Sequence, residues 1–248
     1  MEISLQLILL FFLVAIVAGC VDAIAGGGGL ITIPVMLAAG INPAIAIATN
    51  KLGGVAGTFA STLHFIQIGE IDLRKATATV PMTFIGALLG GLALTKVNSA
   101  FLSYLIPLLL LGFSLYFIFS PEIGKIDKKE KLSTIVFAAT FAPSIGFYDG
   151  FFGPGSGTFF CLGFTLLLGY NLIKATAYAK LLNFASNLAA LLFFIIKGDI
   201  LWKVGAAMLI GQFIGGHIGA RLVVKSGRRL IKALMVIVAF ALSMKMLL

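Results

Sequence analysis

Charged residues are scarce in this sequence of 248 residues. They make up 11% of the chain, whereas hydrophobic residues make up 60%, and a typical soluble domain carries about 25% charged residues. This deficit excludes a soluble globular domain and predicts an all-α protein that crosses the membrane several times. Because a bilayer core needs about 20 apolar residues per helix, the apolar stretches allow about 8–10 membrane segments.

Cysteine and histidine are also rare. Cys20 and Cys161 both lie inside apolar stretches, so they give neither a disulfide framework nor a metal cluster. His64 and His217 stand alone in apolar segments, where a histidine more often satisfies a local hydrogen bond than shuttles protons. Because no nucleophile and base stand at helical spacing, the sequence predicts no enzyme. It also predicts no metal and no cofactor.

Acidic residues are half as common as basic ones, with 9 Asp and Glu against 18 Lys and Arg. The basic residues lie mostly in short loops, so we interpret them as orientation signals and expect no nucleic acid as a partner. Five crossings per half would place twelve of them on one side and four on the other, with both termini outside and the halves inverted. Four crossings per half would split them almost evenly. The twelve are Arg74, Lys75, Lys125, Lys128, Lys129, Lys131, Lys174, Arg221, Lys225, Arg228, Arg229 and Lys232, and the four are Lys96, Lys197, Lys203 and Lys245.

The two halves of the chain share a pattern of residues. Some residues of the first half recur 127 positions later, and further along the chain the offset becomes 129. We interpret this as an internal repeat within one transmembrane domain, 1–248: repeat one covers about 3–119, a cytoplasmic linker 120–131, and repeat two about 132–248. Repeated halves are typical of transporters, whose site lies between the halves near the membrane midplane. Matches include Gly19 with Gly146, Asp22 with Asp149, Gly26 with Gly153, Asn42 with Asn171, Lys51 with Lys180, and Gly86 with Gly215.

Each half contains a glycine-rich break between apolar runs. Four consecutive glycines are costly in a helix, and freed backbone groups are not tolerated against lipid. We therefore expect broken or re-entrant half-helices that begin at Leu30 and Phe159. A helix N-terminus binds anions through its free N–H groups and its dipole, although the glycines could instead serve only close packing. The predicted anion-binding positions in the breaks are Gly26, Gly27, Gly28, Gly29, Gly153, Gly155, Ser156 and Gly157.

Two lysines, Lys51 and Lys180, lie about nine residues into their helices. That distance is roughly 13 Å, which places both near the middle of the bilayer. An intramembrane lysine faces a cavity or a partner, so each is predicted to contact an anion or to form a salt bridge with an aspartate. Asn50 precedes the first lysine, and Asn183 and Asn187 follow the second on its helix face.

Two aspartates, Asp22 and Asp149, each lie four residues before the first glycine of a break. Each could bind a lysine, cap the freed N–H groups of the break, or carry a coupling proton. The residues alone leave these three roles open.

Small-residue motifs occur twice, as Gly86 with Gly90 and as Gly215 with Gly219. Glycines at this spacing let helices approach closely. We interpret both motifs as packing within the chain, with a homo-oligomer interface as the alternative.

The sequence blocks around both breaks and both lysine helices resemble the sulfite exporter TauE/SafE family. The resemblance covers nearly the whole chain and is strongest to the YfcA-type members of bacterial inner membranes. It implies a permease for small sulfur anions such as sulfite or organosulfonates. The positions that match the family pattern are Asp22, Gly26 to Gly29, Asn50, Lys51, Asp149, Gly153, Gly155, Gly157, Lys180 and Asn183.

We therefore expect a multi-pass protein of the prokaryotic cell (inner) membrane. Its partners would be the lipid bilayer and a small anionic substrate, which it exports by alternating access between the two halves. The alternatives are an anion or water channel, proton-coupled uptake of an organic anion, and a membrane scaffold without a substrate.

Overall fold

We describe a computed structural model of the chain over residues 4–98, 100–101 and 129–226. In these ranges the chain forms nine α-helices and one 3₁₀ turn, and it contains no strand. The predicted crossings at 101–119 and 230–247 and most of the predicted linker lie outside the described residues. The helices are α1 Leu5–Ala25, α2 Gly29–Ala38, α3 Pro43–Gln67, α4 Thr79–Leu94, α5 Thr134–Ala139, α6 Phe141–Phe151, α7 Ser156–Leu166, α8 Leu172–Lys197 and α9 Trp202–Ser226, and the 3₁₀ turn is Leu73–Ala76.

Three of the described helices are long and apolar enough to cross a membrane: α1, α8 and residues 202–225 of α9. The helices that follow the breaks are much shorter. With 10 residues in α2 and 11 in α7, they span about 15 to 17 Å, roughly half of a bilayer core. The prediction of an all-helical membrane protein is confirmed at this level.

The second half-helix begins three residues earlier than predicted. We expected it to start at Phe159, but α7 starts at Ser156. Gly155 takes a left-handed conformation with φ 83°, which a glycine adopts without steric cost. Its carbonyl then accepts hydrogen bonds from the N–H groups of Thr158 and Phe159, at 3.0 and 3.2 Å, so the first helical turn forms directly after it.

Two long helices, α3 and α8, begin in the same way and run antiparallel. The side chains of Asn42 and Asn171 each accept a hydrogen bond from a backbone N–H of the first helical turn. At one end, the Leu201 N–H after α8 donates to Thr49 Oγ1 near the start of α3, at 3.1 Å. At the other end, the Asp72 N–H after α3 donates to Tyr178 OH near the start of α8, at 3.0 Å. The loops that follow the two helices therefore lie at opposite ends of the protein.

The apolar core is divided into two clusters. On α3, the buried residues of the first cluster extend as far as Leu52, and Phe65 belongs to the second cluster. On α8, the buried residues of the second cluster extend as far as Leu182, and Ala190 belongs to the first cluster. The segments between these limits hold the buried polar residues Thr58, Ser61 and Thr62 of α3 and Asn183, Ser186 and Asn187 of α8. A polar layer therefore lies between two apolar layers, with Lys51 and Lys180 at its edge.

Glycines allow the outer helices to pack backbone to backbone. A methyl group at Gly215 or Gly219 of α9 would lie 2.0 or 2.4 Å from a carbonyl oxygen of α1. A methyl group at Gly86 or Gly90 of α4 would lie 2.2 or 2.0 Å from a carbonyl oxygen of α6. Both small-residue motifs thus serve packing within the chain, as predicted.

Adjacent glycines of α4 provide a test of this packing. We expect Gly90→Ala to destabilise the protein by about 1–3 kcal/mol, because the new methyl group meets the fixed backbone oxygen of Phe147. Gly91→Ala is the matched control, since its methyl group meets only the side-chain ring of Phe193, at 3.1 Å. Thermal unfolding in detergent measures both. Equal melting temperatures for the two variants would contradict the close approach.

Candidate functional site

The two glycine breaks lie against each other. A methyl group at Gly26 would lie 2.4 Å from the backbone nitrogen of Thr158, and one at Gly157 would lie 2.7 Å from the Cα of Gly26. The Thr158 hydroxyl donates a hydrogen bond to the Ala25 carbonyl, which joins the end of α1 to the start of α7. Glycine is required at this contact because any side chain would separate the two breaks.

Each buried lysine forms an ion pair with the aspartate of the other half. Lys51 Nζ lies 3.0 Å from Asp149 Oδ1, and Lys180 Nζ lies 3.3 Å from Asp22 Oδ2. Each ammonium group also donates to the backbone carbonyl of its aspartate. Both lysine side chains are only 1% exposed. The salt bridges that the sequence suggested are thus present, and they connect the halves of the chain.

The carboxylates of Asp22 and Asp149 accept further hydrogen bonds from different partners. Asp22 Oδ1 accepts the backbone N–H of Gly28 at 3.1 Å, so this aspartate caps its break. Asp149 Oδ1 accepts the Ser156 hydroxyl at 2.8 Å, and its other oxygen accepts the Ser186 hydroxyl. Buried ion pairs repay their desolvation only when such additional hydrogen bonds are present. Of the roles considered for the aspartates, lysine binding and, for Asp22, capping are visible in the structure.

A small polar cavity lies at this junction. Its volume is ≈ 20 Å³, so it has room for about one water molecule. Ten of the predicted site residues line it, whereas Gly27, Gly155, Gly157 and Lys180 do not. The lining residues are Asp22, Gly26, Gly28, Gly29, Asn50, Lys51, Gly54, Asp149, Gly153, Ser156, Asn183, Asn187 and Gln212.

Two lining residues, Gly54 and Gln212, were not predicted. Gln212 is the polar residue within the otherwise apolar run 204–216 of α9, and Gly54 belongs to a second glycine group just after Lys51. Both signals are present in the sequence. Neither indicates a site by itself, because a polar residue or a glycine in a membrane helix is often a packing feature.

The asparagines of the cavity use their oxygens within the protein. Asn50 Oδ1 accepts the Thr32 hydroxyl at 2.6 Å, and Asn183 Oδ1 accepts the side-chain amide of Asn187. Their amide nitrogens are therefore the groups available as donors. Asn50 Nδ2 lies 3.3 Å from the position of a Cβ on Gly29, beside the first break.

The two histidines lie away from the cavity. His64 of α3 and His217 of α9 are neighbours, with ring centroids 6.3 Å apart, although they are not repeat equivalents. Neither lines the cavity. In the described residues no group of three or more histidine, cysteine, aspartate or glutamate side chains could hold a metal ion.

Comparison with known proteins shows the family of this chain. The family model described as "Sulfite exporter TauE/SafE" matches residues 11–246. The chain belongs to the sulfite exporter TauE/SafE family. It is similar to the "Probable membrane transporter protein" of Haemophilus influenzae, at 43% identity over 99% of this chain and 96% of the relative. It is also similar to the "Probable membrane transporter protein YfcA" of Escherichia coli K12, at 43% identity over 99% of this chain and 91% of the relative.

A more distant relative is the "Probable membrane transporter protein YunE" of Bacillus subtilis, at 23% identity over 83% of this chain and 84% of the relative. No solved structure gives a significant match. Family membership and the apolar helices confirm the expected family and the expected multi-pass protein of a prokaryotic inner membrane.

The ion pair between Lys51 and Asp149 can be tested by a double-mutant cycle. We expect Lys51→Met to lower the free energy of unfolding by about 3–5 kcal/mol, because Asp149 stays buried without its counter-charge. The double variant with Asp149→Asn should lose less than the sum of the single losses. Denaturant unfolding in detergent measures all three variants.

The other pair provides a comparison within the same protein. Lys180→Met should cost less than Lys51→Met, since the Asp22 side chain is 13% exposed, against 2% for Asp149. Strictly additive losses in the cycle would show that the two charges at the Lys51 pair are independent.

Proposed function

We propose that this protein is a transporter of small anions, with sulfite and organosulfonates as its substrate class. The observation that carries the proposal is a buried cavity lined by a lysine, by asparagine amides and by two helix breaks. The family description names sulfite export, and an ammonium group with neutral donors suits a small oxyanion. The two aspartates that also line the cavity are each held in an ion pair with a lysine.

Lys51 is the direct contact for the anion in this proposal. An ammonium group has three donors, and Lys51 uses two of them on Asp149, which leaves one for the cavity. Lys180 does not line the cavity, but it holds Asp22, which does. In this conformation Lys180 therefore acts on the anion indirectly, by neutralising Asp22. A change of conformation would expose Lys180 to the cavity.

We further propose that the halves are inverted repeats. The sequence offsets map each main contact onto a second observed contact: the Lys51 pair with Asp149 corresponds to the Lys180 pair with Asp22. In the same way, the hydrogen bond from Leu201 to Thr49 corresponds to the one from Asp72 to Tyr178 at the other end of the protein. An antiparallel arrangement of equivalent helices is the geometry that inversion requires.

The offsets also exchange the two core clusters. Residues of the first cluster map onto residues of the second, and the reverse holds as well. This supports a pseudo-twofold axis through the polar layer. The exchanged pairs are Ala15 with Ala142, Ala46 with Ala175, Leu52 with Leu181, Leu94 with Val223, Ile71 with Ile200, and Phe65 with Phe194.

Alternating access follows from this arrangement. Sulfite, with three oxygens around sulfur, is larger than the single water that the cavity holds, so we interpret this conformation as occluded. The contacts at Thr49 and at Tyr178 are both formed. Rocking of one half against the other would open one of these contacts while the other stays closed.

Export is the simpler direction. With a negative-inside potential, one anionic charge is driven outward by about 2.3 kcal/mol per 100 mV. Outward movement therefore needs no coupling ion, whereas uptake of a monoanion would need more than one accompanying proton.

A channel is disfavoured because apolar clusters lie on both sides of the polar layer, so the described residues do not form a continuous polar path.

Anion binding tests the function directly. We expect sulfite or a sulfonate to raise the melting temperature of the purified protein, because a ligand that binds only the folded state stabilises it. Lys51→Ala should abolish this shift, and Lys180→Ala should weaken it. Lys203→Ala is the control, since this exposed lysine lies away from the cavity and should leave the shift unchanged.

The anion-site proposal fails if no anion stabilises the wild-type protein. It fails equally if the Lys51 variant responds as the wild type does. A transport experiment with sulfite-loaded vesicles then distinguishes a transporter from a protein that only binds the anion.

Inversion predicts the sidedness of particular residues. In a background with Cys20 and Cys161 replaced by serine, a cysteine at Lys203 should react with a membrane-impermeant thiol reagent added outside the cell. A cysteine at Lys75 should react only after the inner face is opened. Labelling of both from the same side would contradict the inverted arrangement.

A further inference from the structure

Gln212 of α9 lines the cavity and is buried, with 2% of its surface exposed. It comes from the helix that packs against both α1 and α3. Gln212 belongs neither to the glycine breaks nor to the lysine helices, and the proposed function assigns it no role.

The structure provides space specifically for this side chain. A methyl group at Gly53 of α3 would lie 2.6 Å from Gln212 Nε2, and one at Gly57 would lie 3.4 Å from Gln212 Oε1. On the other side, a methyl group at Gly19 of α1 would lie 2.8 Å from the Cα of Gln212. The glycines thus hold the backbone of Gln212 in place and leave room for its carboxamide at the cavity that Lys51 also lines.

The carboxamide has no hydrogen-bond partner among the residues that the structure describes. The other amides of the cavity do have partners, such as Thr32 for Asn50 and Asn183 for Asn187. An unpaired buried amide costs about 1–3 kcal/mol, and buried polar groups are otherwise almost always satisfied. A water molecule or a ligand in the cavity would satisfy this group.

Repeat symmetry does not explain the carboxamide. The equivalent residue of the first half is Thr83, which is also fully buried. Its hydroxyl lies 3.5 Å from the Ala142 carbonyl, to which it donates, and it does not line the cavity. The carboxamide is therefore an addition to one half only, and packing alone does not require it.

We propose that Gln212 is the specificity-determining residue of the anion site, donating from Nε2 to an oxygen of the bound anion. This inference rests on the proposed function. Lys51 attracts any small anion by its charge, and the Gln212 N–H can donate to a second acceptor atom of the same ligand, which an oxyanion has and a monatomic halide lacks. A site built to hydrogen-bond a ligand group discriminates against a ligand that lacks it. Gln212 therefore favours oxyanions of the sulfite and sulfonate class over halides.

The test compares sulfite, methanesulfonate and chloride as ligands of the purified protein in thermal-shift titrations. Gln212→Met keeps the length of the side chain and removes the hydrogen bond. We expect it to lower the preference for the oxyanions over chloride about tenfold or more. Gln212→Glu places a carboxylate beside the ligand and should abolish binding of all three anions. Thr83→Val, the matched control in the other half, should keep the wild-type affinities and preference.

Stability without ligand separates a binding role from a structural one. Because the carboxamide has no partner in the described part of the protein, Gln212→Met should melt at or above the wild-type temperature in the absence of anions. A marked loss of stability would instead show that the carboxamide is needed for folding and would overturn the inference.

The two proposals fail in different ways. If no anion stabilises the wild-type protein, the proposed function itself fails. If the wild type binds sulfite and Gln212→Met keeps the oxyanion preference unchanged, the role of Gln212 is wrong while the anion site stands.

Discussion

The exchange of two buried ion pairs is the interaction on which the rest of this structure depends. Lys51 and Lys180 each need a counter-charge inside the membrane, and each finds it on the other half of the chain. Because an unpaired charge inside a membrane is costly, the two halves of the chain are held together at these pairs. The helix breaks, the glycines and the antiparallel long helices then follow as the means of bringing lysine and aspartate together.

The same ion pairs explain how the site can be stable without a ligand and still bind one. The four charges sum to zero, so the site is electrically balanced without a ligand. Lys51 nevertheless keeps a donor beyond those used by Asp149, and the neighbouring asparagines keep their amide nitrogens. An entering anion competes with Asp149 for Lys51, and competition of this kind can link binding to movement of the halves.

Much of the architecture could be predicted because it follows from local patterns in the sequence. The scarcity of charge indicated the membrane, and the breaks indicated short helices. The repeat that the offsets of 127 and 129 indicate stays a proposal. The start of α7 was predicted three residues late. We placed the helix start at the first residue of the apolar run, whereas the left-handed conformation of Gly155 lets the helix begin at Ser156. Gln212 was missed, because its importance comes from glycines on α1 and α3 that are distant in sequence.

The sequence by itself determined the family, the helical membrane fold and the residue types of the candidate site, because composition, spacing and repetition are properties of the chain alone. Only the tertiary structure decided which aspartate each lysine binds and which lysine lines the cavity. Both choices depend on contacts between residues 98 and 158 positions apart in the chain, and no local pattern encodes such contacts.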